Sequence, residues 1–276
     1  MRFGYDYHIH THHLKCADET MQVEDIVRRA EDLGLTSIAI TDHLNRPEQL
    51  AQHAKIREEL EALKPDIDVY FGVELNFYDT TGKFPYSVEA REALGFEFAI
   101  GGVHGTYVKD DDGSGDPKEI RATIIALQHA HHLLTCNDPL VDVLVHPWWF
   151  ARSEFEKKGL KWFDGMGDIP EGLHRELART ARATETAIEV NASAIFLNPH
   201  YSDRFKEGYR RYVKLLAEEG VAFAIGSDAH TIGRLGTTQV VEDLLEELAV
   251  GEEQVWRPIH PPAITGTGCS SPTLRS

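Results

Sequence analysis

The sequence predicts a single α/β domain whose parallel strands close, or nearly close, into a barrel. Seven short apolar runs, rich in β-branched residues, alternate with longer segments of helical period along most of the 276 residues. Some runs, such as residues 143–145 and 222–225, are apolar at consecutive positions, as in strands buried on both faces. The alternation favours parallel strands with helical crossovers, and so many units without a linker favour a barrel over an open doubly wound sheet.

The predicted elements follow one another without interruption. Strands are predicted at residues 3–10, 36–43, 66–76, 96–104, 141–147, 186–191 and 221–230. Helices are predicted at residues 22–34, 47–63, 117–134, 171–184, 203–220 and 240–250, with Pro47 suited to a first turn and Gly34 and Gly220 to helix ends. We expect the domain to cover residues 1–250, and residues 251–276, rich in Pro, Ser, Thr and Gly, to form an irregular tail.

Composition restricts the possible partners. The chain has 45 acidic residues against 28 Lys and Arg, a formal net charge of −17, which disfavours nucleic-acid binding without excluding it. Cys16, Cys136 and Cys269 are widely spaced and form no CxxC, which predicts reduced thiols and a cytoplasmic protein. No run approaches the roughly 18 apolar residues of a membrane span, and no apolar signal core begins the chain, so we expect no membrane partner.

Every predicted strand ends in at least one side chain that can bind a metal ion. These side chains are His8 and His10, His43, Glu74, His104, His146, Glu189 with Asn191, and Asp228 with His230. The carboxyl ends of barrel strands share one face, where active sites are built. Because residues i and i+2 of a strand point to the same side, His8 and His10 form a bidentate pair. Imidazole mixed with carboxylate suits Zn, Mn or Fe better than Mg or Ca.

For any single histidine, a packing role is an alternative to metal binding, because a histidine at a strand end can hydrogen-bond to a backbone carbonyl. The repetition of such side chains at the ends of seven strands favours metal binding. Without ions, each repelling carboxylate or unpaired polar group would destabilise the fold by about 1–3 kcal/mol. Packing or surface roles are expected for His53, His129, His131, His132, His174 and His260, whereas His12 and His13 stay open as groups near the substrate or the ligands. The acidic loop at 108–119 does not fit a calcium loop, because Arg121 stands where Glu is required.

The motifs "HIH", "TDH", "GVE", "GGVH", "VHP", "EVN" and "SDAH" occur in this order from His8 to His230. In this set the chain resembles the PHP (polymerase and histidinol phosphatase) domain family of metal-dependent phosphoesterases, and the resemblance extends from His8 to about Gly236. It implies a distorted (β/α)7 TIM-like barrel that carries two or three divalent ions, Zn, Mn or Fe, at its carboxyl mouth.

The resemblance also implies a division of the ligands. His8, His10, Glu74 and Asp228 would hold a first ion, Glu74 with His104 and His146 a second, and His43 with His230 a third. Relatives commonly supply a further ligand in the loop after HxH. Alignment on the following helix places Asp18 there, counting forward from His10 points to Cys16, and Glu19 is adjacent; we favour Asp18. Asp42 is expected to orient a neighbouring ligand, and Asn191 and Ser193 to bind substrate or brace the ligands.

We therefore predict hydrolysis of a small phosphate ester, similar to that of a histidinol phosphatase. The ions bring more positive charge than Asp18, Glu74 and Asp228 remove, so the pocket would select phosphate on an otherwise acidic protein. A metal-bound hydroxide, held by His8, His10, Glu74 and Asp228, would attack the phosphorus. Candidate substrate contacts are Arg152, Arg234 and Asn191 for phosphate, and Trp148 and Trp149 for the organic part.

Three other functions stay open. The same family resemblance implies 3'-5' exonuclease action on nucleic acid as an alternative, which the net charge of −17 disfavours. Amidohydrolases of C–N bonds also use HxH on a barrel strand, but their pattern includes a bridging lysine, and no predicted strand here ends in lysine. An inactive barrel stabilised by its ions is the third alternative, although nearly every expected ligand is present.

Overall fold

The computed structural model describes residues 3–76, 86–105 and 115–266 and shows an α/β barrel. Its strands are β1 (Tyr5–Ile9), β2 (Ser37–Ile40), β3 (His43–Leu44), β4 (Asp68–Asn76), β5 (Phe98–Gly102), β6 (Val143–Leu144), β7 (Ala187–Asn191) and β8 (Phe223–Gly226). All pair in parallel in the order β1-β2-β4-β5-β6-β7-β8, and β3 pairs with β4. The seven predicted runs are confirmed, with β3 continuing the second run after a break at Thr41 and Asp42.

The two outer strands of the sheet, β1 and β8, meet and bring the barrel near closure. The backbone N–H of His10 donates to the carbonyl of Ala229 at 3.1 Å, and the N–H of Ala229 donates to the carbonyl of His8 at 3.3 Å. This bridge covers strand edges that would otherwise be free to pair with another chain. The predicted barrel is therefore confirmed, and the open sheet is excluded.

Helices surround the strands. Those within the described residues are α1 (Val23–Asp32), α2 (Leu50–Ala62), α3 (Val88–Leu94), α4 (Pro117–Asn137), α5 (Arg152–Lys157), α6 (Glu171–Thr184), α7 (Asp203–Glu218) and α8 (Gln239–Glu247). The sequence predicts all but α3 and α5, which span seven and six residues and are too short to display a helical period. In the same described ranges, no helix is long and apolar enough to cross a membrane.

Alternate strand residues pack into two hydrophobic clusters. In β2, Ile38 and Ile40 join a cluster that contains Ile9 of β1 and Ile26 of α1. Ala39, between them, points the other way and joins the larger cluster formed with the second half of the barrel. Burying one such isoleucine stabilises the fold by about 1.5–3 kcal/mol. Burial on both faces is what the continuous apolar runs predict.

The described part of the predicted tail, residues 251–266, packs against the amino ends of the strands. The N–H of Trp256 donates to the carbonyl of Phe223 at 2.8 Å, and Ile264 exchanges backbone hydrogen bonds with Val69 at 2.9 and 3.1 Å. The carboxyl ends of the strands therefore open at the opposite face. The domain limit at residue 250 stays a prediction.

Parts of two predictions concern residues outside the described ranges. These are residues 108–114 of the acidic loop and residues 267–276 of the tail, which include Cys269. Arg121, which argues against calcium binding by that loop, lies in α4 with its Nη2 2.7 Å from Oδ2 of Asp168.

Candidate metal centre

The predicted ligands meet around one buried carboxylate, that of Glu74 near the carboxyl end of β4. Glu74 is 0% exposed. Its Oε2 lies 2.7 Å from Nδ1 of His43 and 3.4 Å from Nε2 of both His8 and His10, and its Oε1 lies 3.2 Å from Nε2 of His104 and of His146. A single carboxylate thus faces imidazoles delivered by β1, by β3 and by the segments after β5 and β6.

The loop after β8 adds a second carboxylate to this centre. Oδ1 of Asp228 lies 3.3 Å from Nε2 of His10, 3.6 Å from Nε2 of His8 and 3.4 Å from Nδ1 of His230. Asp228 has a φ of 55° and His146 a φ of 31°, values in the left-handed region that residues other than glycine rarely adopt. Backbone strain of this kind concentrates at functional sites, and here it accompanies side chains that meet in the centre.

Charge explains how the buried Glu74 and the largely buried Asp228 can remain ionised. Burial by itself raises the pKa of Glu74, but His43, His104 and His8 outweigh burial and hold this pKa well below its usual value. The pKa of Asp228 is likewise held well below its usual value, because His8 and the neighbouring imidazoles outweigh burial. Both groups are therefore carboxylate anions.

The two histidines of the HxH pair differ in character. Burial lowers the pKa of His8, but Glu189, Asp228 and Glu74 outweigh burial and raise this pKa well above its usual value. Burial, together with neighbouring imidazoles, holds the pKa of His10 well below its usual value. The carboxylates around His8 thus favour positive charge at this position, which a bound cation would supply in place of a proton, whereas His10 is held as the neutral imidazole that coordinates a metal.

Two observations indicate that these side chains can bind divalent cations. Within the described part of the chain, three overlapping groups each place one ligand atom per residue within 4.8 Å of the others: His8 with His10 and Glu74; His43 with Glu74 and His104; and His10 with Cys16, His43 and His230. The buried Nδ1 atoms of His10, His104 and His146 have no hydrogen-bond partner. A set dominated by imidazole suits Zn, Mn or Fe, and the shared members suit a cluster better than isolated ions.

The loop after β1 brings Cys16 into the centre and leaves Asp18 outside these groups. The exposed Asp18 carboxylate accepts hydrogen bonds from the backbone N–H, at 2.9 Å, and from the hydroxyl of Thr20. The backbone N–H of Asp18 donates to the carbonyl of His230 at 3.0 Å, which ties this loop to the loop after β8. Glu19 is also exposed. Of the three residues considered for this ligand, Cys16 is the one that the fold brings to the histidines.

Glu189 of β7 supports the ligands from behind. Its Oε1 lies 2.7 Å from Nδ1 of His8, and its Oε2 accepts hydrogen bonds from the N–H of His146 and from Nδ2 of Asn191, both at 2.9 Å. The side-chain oxygen of Asn191, a predicted substrate contact, accepts from the N–H of Ala194 at 2.7 Å. One end of this buried amide thus braces Glu189, and the other caps the helical turn at Ala192–Phe196. Strand-end position alone identifies Glu189 as metal-competent and does not reveal its supporting role.

Asp42 is held by a threonine that sequence reasoning misses. Its Oδ1 accepts from the N–H of Thr11 at 3.0 Å, and its Oδ2 accepts from the hydroxyl of Thr11 at 2.5 Å. Oδ1 lies 3.8 Å from Nδ1 of His10, which is beyond hydrogen-bond distance, so the orienting role of Asp42 stays a prediction. Burial raises the pKa of Asp42 to about 6, against the hydrogen bonds from Thr11. The position of Thr11 directly after "HIH" is the sequence signal for it.

The two arginines predicted to bind phosphate lie at the surface. Nε of Arg152 donates to Glu156 at 2.7 Å, and its Nη1 lies 3.2 Å from Nδ1 of His200. Arg234 ends a short 3-10 turn and is exposed. Their roles in binding phosphate stay predictions.

The adjacent tryptophans occupy different environments. Trp148 is 0% exposed, and its ring centroid lies 4.8 Å from that of His132 and 5.3 Å from that of His174, so it is a core residue. Trp149 is half-buried, with its centroid 5.9 Å from those of both His104 and His146. Of the pair, Trp149 lies beside the centre.

The remaining histidines pack or lie at the surface, as expected. His53, His129, His131, His132 and His174 are buried, and His260 is exposed. In the loop after β1, Nε2 of His13 lies 3.1 Å from Glu59, and Nδ1 of His12 lies 3.3 Å from the carbonyl of Met21. Neither His12 nor His13 belongs to the three ligand groups found among the described residues.

A barrel whose mouth gathers imidazoles around shared buried carboxylates is the architecture of a metal-dependent hydrolase. The chain belongs to the PHP domain family, whose model matches residues 6–225. It is a hydrolase that acts on phosphoester bonds.

Curated relatives resemble the chain over most of its length. A probable phosphatase of Caldicellulosiruptor bescii is 24% identical over 242 residues, 86% of this chain and 85% of the relative. A probable histidinol-phosphatase of Deinococcus radiodurans is 25% identical over 252 residues, 84% of this chain and 88% of the relative. A chain of an archaeal ribonuclease P solved with mature tRNA has 17% identity and a TM-score of 0.48, and covers 88% of this chain and 87% of its own. That structural similarity is too weak to support an assignment of function.

Proposed function

We propose that the chain hydrolyses a small phosphate monoester with two or three divalent cations bound at the barrel mouth. The observation that carries the proposal is the buried Glu74 carboxylate, which lies within 3.4 Å of nitrogens from five histidines. The names of the relatives, probable phosphatase and probable histidinol-phosphatase, support a monoester as the substrate.

The ligands divide among the ions by proximity and by the family pattern. His8, His10, Glu74 and Asp228 would hold the first ion, Glu74, His104 and His146 the second, and His43 and His230 the third. The overlap of the three ligand groups supports a cluster, because Glu74, His10 and His43 each belong to two groups. When bound, divalent ions of this kind supply Lewis acidity and lower the pKa of a water molecule in the site.

The chain itself orients the ligands and offers a surface to the substrate. The 2.7 Å contact between Glu189 and Nδ1 of His8 fixes the ring of His8 and leaves its Nε2 facing Glu74. Trp149, beside His104 and His146, presents an aromatic ring on which the organic part of a substrate can pack. Binding therefore combines a phosphate that meets the cations and an apolar group that meets Trp149.

The charge of the protein favours a small substrate over a polyanion. With a formal net charge of −17, the protein repels a nucleic acid that lays several phosphates along its surface. A monoester places its single phosphate at the mouth, where bound cations reverse the local charge.

The proposal is tested by phosphate release. Chelator-treated protein, reloaded with Mn, Zn or Fe, is offered histidinol phosphate, sugar phosphates and nucleoside monophosphates, with a labelled single-stranded oligonucleotide as competitor. We expect metal-dependent release from at least one monoester, faster than cleavage of the oligonucleotide. Faster oligonucleotide cleavage would favour the exonuclease alternative, and no release with any metal would refute the proposal.

A matched pair of histidine variants controls for folding and for a contaminating phosphatase. His146→Ala removes a ligand that lies 3.2 Å from Glu74 and should abolish release. His260→Ala changes an exposed histidine of the C-terminal segment and should leave the rate unchanged. Unchanged release in His146→Ala would mean that the activity does not depend on the centre, and equal loss in both variants would indicate a general loss of folded protein.

A further inference from the structure

Cys16 lies among histidines at the outer edge of the centre. Its sulfur belongs to a group with ring nitrogens of His10, His43 and His230 in which all ligand atoms lie within 4.8 Å of one another. The side chains of His43 and His230 are 13% and 36% exposed, against 0% for that of His10, so this group is the one nearest to solvent.

The backbone of the loop after β1 sets the position of Cys16. Lys15 adopts a left-handed conformation with a φ of 60°, and its N–H donates to the carbonyl of His12 at 3.0 Å, which closes a turn directly before Cys16. The N–H of His12 in turn donates to the carbonyl of Met21 at 3.0 Å. Hydrogen bonds within the loop therefore bring Cys16 to the histidines, independently of any bound ion.

A second observation points to a ligand between Cys16 and the histidines. Nδ1 of His10 is buried without a hydrogen-bond partner, and it lies 3.8 Å from Oδ1 of Asp42. The sulfur of Cys16 lies 3.9 Å from the same oxygen, a weak interaction for a thiol. Nδ1 of His10 and the sulfur of Cys16 thus each lack a strong hydrogen-bond partner in the protein. Both lie near the Asp42 carboxylate, whose negative charge would stabilise a cation bound between them.

A role for Cys16 as a nucleophile does not fit these surroundings. Reactive cysteines lie beside positive groups that favour the thiolate. Burial and the nearby Asp42 raise the pKa of the Cys16 thiol to about 12, so the free thiol stays protonated. A bound cation removes this obstacle, because it deprotonates a coordinating thiol.

We propose that Cys16 supplies a thiolate ligand, beside His43 and His230, to the outermost ion of the centre. A thiolate is a soft ligand that favours zinc, whereas manganese favours the harder carboxylate. This outer position should therefore prefer zinc over manganese, while the inner positions, built from imidazole and carboxylate, accept either metal. The inference rests on the proposed metal centre and does not depend on which ester is the substrate.

Cobalt is the probe, because Co(II) replaces zinc and reports thiolate ligation by a sulfur-to-metal charge-transfer band in the near ultraviolet. Chelator-treated full-length protein is titrated with Co(II) without oxygen. We expect the band to develop in the wild type, and zinc to displace cobalt and remove it. Cys16→Ser should lose the band and bind zinc at the outer position at least about tenfold more weakly, since losing even a supporting partner costs 10–100-fold.

Three further variants make the test specific. Cys136→Ala removes a buried thiol of α4 and should keep the band. Cys16→Asp should lose the band, retain an outer ion and shift the preference of that ion from zinc towards manganese. Asp18→Asn should keep the band, because the Asp18 carboxylate is hydrogen-bonded to Thr20.

The outcomes separate this inference from the proposed function. If wild type binds cobalt without the band, or if Cys16→Ser keeps the band, Cys16 is not a ligand, whatever the phosphatase activity. If Asp18→Asn loses the outer ion and Cys16→Ser retains it, Asp18 is the ligand. If the band is present and no monoester is hydrolysed, the thiolate site stands and the proposed substrate class fails.

Discussion

At the residue scale, two buried glutamates on different strands, Glu74 on β4 and Glu189 on β7, have different tasks. Glu74 directs both of its oxygens to histidines of the centre, within 3.4 Å of their nitrogens. Glu189 contacts the far side of His8, at Nδ1, and accepts the backbone N–H of His146. Glu74 thus belongs to the ligand set, and Glu189 determines how two members of the set are presented.

Substitution of the central carboxylate should remove activity. In Glu74→Gln the charge that balances the surrounding histidines is lost, and an amide oxygen is a poor shared ligand. We expect kcat/KM for a phosphate ester to fall by at least about a hundredfold, the upper end of what a supporting residue costs. Steady-state kinetics and metal content measure the effect. Glu176→Gln, on the exposed glutamate paired with His129, is the control, and wild-type turnover in folded Glu74→Gln would contradict the assignment.

Substitution of the supporting carboxylate should instead weaken metal binding. Glu189→Gln keeps the size of the side chain but loses the charge that holds Nδ1 of His8. We expect the metal dissociation constant to rise about 10–100-fold, with most of kcat restored by excess metal. Metal titrations at constant substrate separate this result from that of Glu74→Gln, in which added metal should not restore turnover. Unchanged metal affinity would assign Glu189 a purely structural role.

Residue types and their spacing predict most of the side chains that meet in the centre. They do not predict a position that depends on local backbone conformation. The positions of Glu74, His104 and His146 follow from strand ends meeting at one face. Counting forward from His10 points to Cys16 and alignment on the following helix points to Asp18, and the left-handed turn at Lys15 that decides between them is not visible in the sequence. Long-range side-chain contacts decide the role of Glu189, and a single sequence contains no record of them.

At the element scale, β7 and β8 approach so closely at the centre that one position requires glycine. A Cβ added to Gly226 would collide with Oε1 of Glu189 and lie 2.5 Å from Cβ of His8. The short runs of the barrel are predicted from apolar composition, but this close contact depends on how three strands stack at their ends. The helices α3 and α5 are not predicted for a different reason: each has fewer than eight residues, too few to display a helical period.

A methyl group at this position should disturb both folding and metal binding. Gly226→Ala forces Glu189 away from His8, so we expect a loss of about 1–3 kcal/mol in the free energy of unfolding, as for an overpacked core, together with weaker metal binding. Denaturant unfolding and metal titration measure the two effects. Gly172→Ala in α6 is the matched control, because nothing lies within 4 Å of its added Cβ. It should stabilise the protein by about 0.4–1 kcal/mol, and an equal loss in both variants would contradict the argument.

Glu97, just before β5, links α2 to the sheet and should make stability depend on pH. Its Oε2 accepts the N–H of Phe71 at 2.5 Å, and its Oε1 accepts from Arg57 at 3.3 Å. Burial raises the pKa of Glu97 from 4.5 to about 7, although both of these partners oppose the shift. Between these values the folded state holds a proton that the unfolded state has released, so stability falls as pH rises through about 7.

Glu97→Gln, which cannot titrate, isolates this effect. Relative to the variant, the wild type should lose about 2–3 kcal/mol between pH 4.5 and pH 8. One pKa unit corresponds to about 1.4 kcal/mol, so the full shift sets an upper limit of about 3.5 kcal/mol, which solvent screening at the incompletely buried Glu97 reduces. Urea unfolding of chelator-treated protein at several pH values measures the difference and removes the contribution of metal binding. Glu92→Gln, on exposed α3, should show no such trend. A constant difference between wild type and Glu97→Gln would show that Glu97 titrates normally.

At the scale of the whole molecule, the two ends of the barrel differ: one is filled by packed aromatic side chains and the other carries the candidate ligands. Aromatic residues fill its amino end, where the ring centroid of Trp256 lies 5.2 Å from that of Phe98 and 6.2 Å from that of Tyr7. The ligands gather at its carboxyl end. The alternation of strands and helices predicts the barrel and which end carries the ligands. It does not predict the contribution of Trp256, because an irregular segment has no period that would place it.

The candidate ligands are spread along the sequence from His8 to His230. Ions bound at the barrel mouth should therefore stabilise the closed barrel, because they join its first and last strands. The unfolded chain offers no comparable site, so a metal at a hundred times its dissociation constant should stabilise the fold by about 2.7 kcal/mol. For a chain of this size that corresponds to a rise in Tm of about 5–10 °C. Scanning calorimetry with Zn or Mn, before and after chelation, measures the rise. His8→Ala with His10→Ala should reduce it strongly, and an unchanged rise in that double variant would mean that the stabilising ions bind outside the centre.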